Sequence, residues 1–128
     1  LRLHNDLQLS NASEIGLLLL WIALLCGRVD ASLAASTGVE DTEQVVKYLL
    51  AGADAVMTTA ALLRHGPQHM KELLTGTMAW LSARDFESLD EIRGLLSQHR
   101  YTNPDSFGRA SYVKILHNYA TLHPHGAV

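Results

Sequence analysis

Two short stretches carry residue types suited to gripping an anion. Ser36-Thr37-Gly38 is a turn of small residues, and Thr59-Ala60-Ala61 is a second one further along. Successive backbone N–H groups in such turns, helped by the start of a following helix, can converge on a phosphate. At the second turn a hydroxyl from Thr58 or Thr59 can assist, and strand alternation lets only one of the two face the ligand. The residue types thus nominate one anion site drawn from Ser36, Thr37, Gly38, Thr59 and Ala60. The alternative is a pair of plain loops, with Gly38 present only for its backbone angle.

Other chemistries find less support. His65 and His69 have the i, i+4 spacing of a helical metal pair, but Pro67 between them marks a helix start and leaves His65 outside it. A third ligand and a supporting shell are also missing, so no metal is expected. Cys26 lies in an apolar run, where a thiol behaves as a small hydrophobe, and there is no GxSxG elbow. Asp30, Asp41 and Asp54 stand near the ends of elements without pairing. No catalytic residue is assigned within this chain.

The elements that would position the two turns occupy residues 28–66. Apolar runs over 29–35 and 55–58 read as strands, each leading into one of the turns. Between them a helix over 42–50 pairs Val45 with Leu49 and Val46 with Leu50, leaves Glu43, Gln44 and Lys47 to solvent, and stops at Gly52. Two strands joined by a helix in so short a span form a βαβ crossover, which makes the strands parallel. Both turns then lie at the C-terminal ends of parallel strands, the ligand-binding side of such folds.

Around this unit, residues 1–9 alternate loosely and suggest a strand or extended arm. Asn11 and Glu14 have capping-box spacing and open a helix over 12–26, ended by Gly27. That helix is apolar on every side and should be covered on more than one face. Pro67 suits the first position of a helix to about residue 81, weakened in the middle by Thr75 and Gly76. Ser88 and Glu91 form a second capping box for a helix to about 98, and Asn103-Pro104 begins a last one. Trp21, Trp80, Phe86 and Phe107 are expected in packing contacts.

The chain has 128 residues, 48% of them hydrophobic, which suits one domain. Its net charge of −3 gives no electrostatic case for nucleic acid or an anionic membrane. The longest apolar run, 15–26, is shorter than the roughly 20 residues a membrane span needs. A single cysteine excludes a disulfide within the chain and fits a reducing, cytoplasmic setting. The chain opens on Leu1, and the expectation is a processed or truncated piece of a longer protein.

Three stretches together resemble dihydroorotate dehydrogenase-like proteins, an FMN-binding (β/α)8 barrel family. Ala34-Ala35-Ser36-Thr37-Gly38-Val39 stands where that family has a G-x-G-G-[VI] turn. Ala51-Gly52-Ala53-Asp54-Ala55-Val56, with Ala60-Ala61-Leu62-Leu63-Arg64-His65-Gly66, is similar to its "AGA…V…TALL…G" strand and turn. Phe86-Glu87-Ser88-Leu89-Asp90-Glu91-Ile92-Arg93-Gly94 is similar to its "Y-x-S-x-x-[DE]-[FI]-R-G" segment. Ala35 and Thr37 replace family glycines, and Ala60 replaces a threonine.

The resemblance implies the C-terminal portion of a TIM barrel, an α/β fold. It would hold the last two to three strands with their helices, plus a helical extension over about 99–128. It implies FMN, its phosphate held by N–H groups at Thr37, Gly38, Thr59 and Ala60, and hydride transfer from dihydroorotate or a similar small substrate. The catalytic base and the substrate-gripping residues would belong to earlier strands. This piece would be inactive alone and would self-associate or dock with the absent N-terminal part. The alternatives are a non-enzymatic α/β interaction module, or a phosphate-binding barrel of different chemistry.

Overall fold

A computed structural model describes residues 8–100. The last helix expected from Asn103, the packing of Phe107, and most of the arm over 1–9 lie outside these residues. Within them the chain is a helix-rich α/β unit around a small parallel sheet.

Asn11 acts as a cap, but of a 3-10 turn rather than of the α-helix itself, and Glu14 reaches its side chain rather than its backbone N–H. Asn11 Oδ1 accepts from Ser13 N at 3.0 Å, and Asn11 Nδ2 donates to Glu14 Oε1 at 3.1 Å. A 3-10 turn, Ala12–Glu14, leads into α1, Ile15–Leu25. Ile15, Leu20 and Ala23 are buried, whereas Leu17, Trp21 (50% exposed) and Leu25 face outward at i, i+4, i+8. Helix α1 is thus covered on more than one side, by the helix over 42–51 and by the turn over 98–100, and is left open along this one stripe; a packed Trp21 is not found. Nothing in the described chain lies over that stripe.

The sheet is much shorter than the apolar runs suggest. β1 is Ala34–Ala35 and β2 is Ala55–Val56, paired in parallel with Ala34 opposite Ala55 and Ala35 opposite Val56. At their N-terminal ends, Asp54 N and Ala55 N both donate to Leu33 O, and Leu33 N turns to the Asp54 carboxylate at 2.7 Å. That side-chain bond replaces the next rung of the ladder. Residues 27–31 are exposed turn and bend, so the strand expected from residue 29 is confined to its last two residues.

Between the strands runs α2, Thr42–Ala51. It opens on a capping box in which Asp41 accepts from the backbone and Gln44 Oε1 takes Asp41 N at 2.8 Å. Gln44 is consequently buried at 7% exposure, not on the solvent side. Gly52 closes the helix in the left-handed conformation at φ 119°, its N–H bonded to Tyr48 O and Leu49 O. α3, Ala60–His65, and α4, His69–Ser82, follow β2, with Pro67 in the turn between them.

The Ser88–Glu91 capping box forms, but the helix it opens is only α5, Leu89–Ile92. Beyond it, Gly94 N donates to Leu49 O and Leu96 N to Leu50 O. The first adds a second donor to Leu49 O and the second satisfies Leu50 O, which the end of α2 leaves open, and so the chain leaves the helical path expected to residue 98. A 3-10 turn, Gln98–Arg100, then packs on α1. The core unites Ile15, Ala35, Val39, Tyr48 and Ala53, with Leu18, Leu19, Ile22, Val45 and Val56 packed against it. It lies directly behind the turn that follows β1.

Candidate functional site

Both small-residue turns open into the same cleft, of about 480 Å³. Ser36 and Thr37 line it from beyond β1, and Thr58, Thr59 and Ala60 line it from beyond β2. Gln8, Leu9 and Ser10 form a further wall, with Met57 and Leu63 as apolar lining.

The first turn is held from behind. Tyr48, with no exposed surface, donates its hydroxyl to both Ser36 O at 3.0 Å and Thr37 O at 2.9 Å. Burial pushes its phenol up to about 12, so it remains a donor at ordinary pH. Thr37 sits at φ 76°, a left-handed conformation that a β-branched residue rarely adopts. Gly38 follows at φ 70°, and a Cβ there would meet Asn11 O at 2.9 Å. The Gly38 N–H is donated to Ser10 Oγ at 3.3 Å, and Gly38 stands behind the cleft rather than in its lining.

The second turn is tied to the first. Thr58 Oγ1 donates to Val39 O at 2.8 Å, which commits that hydroxyl to joining the two loops. With the carbonyls and Thr58 so engaged, the N–H groups of Ser36, Thr37, Thr59 and Ala60 have no acceptor among the described residues. The hydroxyls of Ser36, Thr37 and Thr59 are likewise unbonded there. A cleft whose lining residues carry uncommitted N–H and hydroxyl groups suits an anion.

The cationic side chain at the rim is already engaged. Arg64, in the last turn of α3, pairs with the Glu40 carboxylate and donates to Ser10 O at 2.7 Å and Leu9 O at 3.2 Å. It thereby hangs the wall formed by residues 8–10 on the loop after β1. His65 Nε2 lies 2.9 Å from the other Glu40 oxygen. The hydrogen bond from His65, then the Arg64 charge, hold the Glu40 carboxyl below its ordinary value of 4.5 against the opposing effect of burial.

His65 and His69 belong to separate helices with ring centroids 4.8 Å apart. Among the described residues no group of three His, Cys, Asp or Glu side chains could hold a metal. Asp54 is occupied by Leu33 N and lies 3.4 Å from Arg93, and Asp41 caps α2. A second cavity of about 220 Å³ between β2, α2 and α4 is mostly apolar, lined by Val45, Leu49, Val56 and Leu73 among others.

Of the five site residues nominated by sequence, four meet in the cleft and Gly38 supports it from behind. Sequence reasoning did not find Tyr48, Arg64 or the wall at Gln8, Leu9 and Ser10. Each acts on a turn many residues away, and no local pattern marks it. Asp41-x-x-Gln44 was readable as a capping box, since it has the same spacing as the two that were read.

No family model matches the chain. Over 67 residues, 52% of its length, it is 36% identical to the catalytic subunit of dihydroorotate dehydrogenase B (NAD(+)) of Methanothermobacter thermautotrophicus, covering 22% of that protein. It is 37% identical over 68 residues, 53% of the chain, to a protein assigned as dihydroorotate dehydrogenase A (fumarate) of Aeropyrum pernix, again covering 22%. With the chloroplastic dihydropyrimidine dehydrogenase (NADP(+)) of Arabidopsis thaliana it shares 28% over 76 residues, 59% of the chain and 18% of the relative. The resemblance to dihydroorotate dehydrogenase-like proteins is thus present over about half of the chain. The chain spans about a fifth of the length of the curated relatives it matches.

Proposed function

We propose that this chain is part of an FMN-dependent oxidoreductase of the dihydroorotate dehydrogenase type, and that its two turns grip the FMN phosphate. The observation that carries the reading is the meeting of Ser36, Thr37, Thr59 and Ala60 in one cleft beyond two parallel strands. Dehydrogenase relatives supply the reaction class. The wider architecture in this reading is the C-terminal part of a (β/α)8 barrel, where a phosphate site after the last two strands is a recurring arrangement.

The donor set fits a phosphate. Unbonded N–H groups at both turns and the Ser36 and Thr59 hydroxyls can each donate to a phosphate oxygen, while the Arg64 charge is spent on Glu40. Ala60 contributes its N–H alone, since it has no hydroxyl. Tyr48 keeps the Ser36 and Thr37 carbonyls turned inward, so that an anion meets N–H rather than oxygen. The flavin, when bound, would accept a hydride equivalent from dihydroorotate or a similar substrate. This chain's part is to hold and orient; the proton-accepting base lies outside it.

The same reading has the chain self-associating or docking with the rest of a barrel, in the cytoplasm. It is supported by the outward stripes Leu17-Trp21-Leu25 on α1 and Met70-Leu74-Met78 on α4. The test is twofold. A longer protein that contains this chain should be yellow, with a flavin absorbance spectrum, and should oxidise dihydroorotate. The isolated chain should show no turnover. A colourless longer protein, or turnover by the isolated chain, contradicts the proposal.

A further inference from the structure

His69 opens α4 with both ring nitrogens engaged. Nδ1 lies 2.8 Å from Glu72 Oε2 and Nε2 lies 2.8 Å from Glu40 O. Carboxylate and carbonyl oxygens only accept, so two such bonds require a proton on each nitrogen, and an imidazole with both protons is a cation. The ring is largely enclosed, at 14% exposure, while Glu72 reaches it from the solvent side.

Its surroundings suit that charge. The loop between β1 and α2 presents the Glu40 carbonyl, and the Glu40 carboxylate behind it is shared by Arg64 and His65 of α3. Glu72 faces it from α4 itself, and the His65 ring stands 4.8 Å away. The charges that act on the ring are those of the two carboxylates, Glu72 and then Glu40.

We propose that His69 is a protonated latch: as an imidazolium it ties the loop that follows the Ser36-Thr37-Gly38 turn to α4, and its deprotonation weakens that tie. The neutral ring has one N–H for two acceptors, and its bond to the Glu40 carbonyl loses the strengthening that charge gives. The loop concerned also carries Val39, which Thr58 holds, and Glu40, from which Arg64 hangs the wall at Ser10. The latch is independent of what occupies the cleft.

The bonds to the Glu40 carbonyl and then to Glu72 raise the His69 pKa above its ordinary 6.5. With the folded value above the unfolded one, the stabilisation is complete below about 6.5 and is lost as pH rises through the folded value.

Long-range proton–nitrogen NMR of the full chain, with nitrogen-15 histidine, reads the latch directly. At pH 6 both His69 nitrogens should be protonated, with a titration midpoint above that of free histidine. Glu72→Gln, on the exposed partner, should lower that midpoint while the spectrum stays folded. Above the midpoint, amide exchange at residues 39–41 should accelerate more than at control amides in α1. His69→Gln should show the faster exchange at every pH. A neutral tautomer at pH 6, a midpoint at or below that of free histidine, a midpoint unmoved by Glu72→Gln, or exchange that follows the controls would each overturn the proposal.

Discussion

The Tyr48 hydroxyl donates to the carbonyl oxygens of Ser36 and Thr37 together, at 3.0 and 2.9 Å. One buried side chain on α2 thus sets the orientation of two consecutive peptide groups in the turn beyond β1. Tyr48→Phe keeps the ring and strands both carbonyls. The expected cost is about 1–3 kcal/mol, read as a lower midpoint in urea unfolding with an unchanged slope. An unchanged midpoint would mean that the turn holds its shape without Tyr48.

Thr37 occupies a left-handed conformation at φ 76°. Left-handed geometry costs a residue with a Cβ roughly 1–2 kcal/mol, and glycine gives back roughly 0.5–1 kcal/mol through its freer unfolded chain. Thr37→Gly should therefore stabilise the chain by up to about 1.5 kcal/mol. A clear loss on the same urea measurement would show that the Thr37 side chain makes up for its backbone.

Gly76, in the middle of α4, is where α4 crosses α2. A Cβ built there would overlap Thr42 Oγ1 and lie 3.2 Å from Thr42 Cβ. Gly76→Ala should lose about 1–2 kcal/mol by overpacking, despite the better helix propensity of alanine. Adding Thr42→Ala should recover most of that loss. Two effects that simply add in the double variant would mean that the helices do not meet at this pair.

The folded Glu40 carboxyl lies below its ordinary value of 4.5, first through the His65 hydrogen bond and then through Arg64. Its stabilisation is therefore present above about 4.5 and is lost as pH falls through the lower folded value. Glu40→Gln should flatten the acid limb of a thermal-midpoint profile, and the His69 limb on the alkaline side should remain. An acid limb identical to the parent's would remove Glu40 from the account.

What could be read from sequence was local. The caps at Asn11 and Ser88, the stop at Gly52 and the parallel crossover rest on spacings within one turn or one short unit, and all are present. Strand length was not legible, because a strand extends only as far as its partner does, and the Leu33 N–H finds the Asp54 side chain instead of a backbone carbonyl of the neighbouring strand. Burial of Gln44 and exposure of Trp21 were misread for related reasons. A cap drew the first inward, and the second faces a side that the described chain leaves open. In the cleft, the turns themselves were visible as small residues after apolar runs. The residues that brace them, Tyr48, Arg64 and Ser10, act across sequence distances that no periodicity encodes.

The central claim is that the two turns make one phosphate-gripping cleft, and a titration tests it most directly. FMN is added to the chain while flavin fluorescence is followed, with inorganic phosphate as competitor and Ser36→Asp as control. The account predicts saturable binding that phosphate displaces and that a carboxylate at position 36 abolishes. Absence of binding, or binding indifferent to both phosphate and Ser36→Asp, would contradict it.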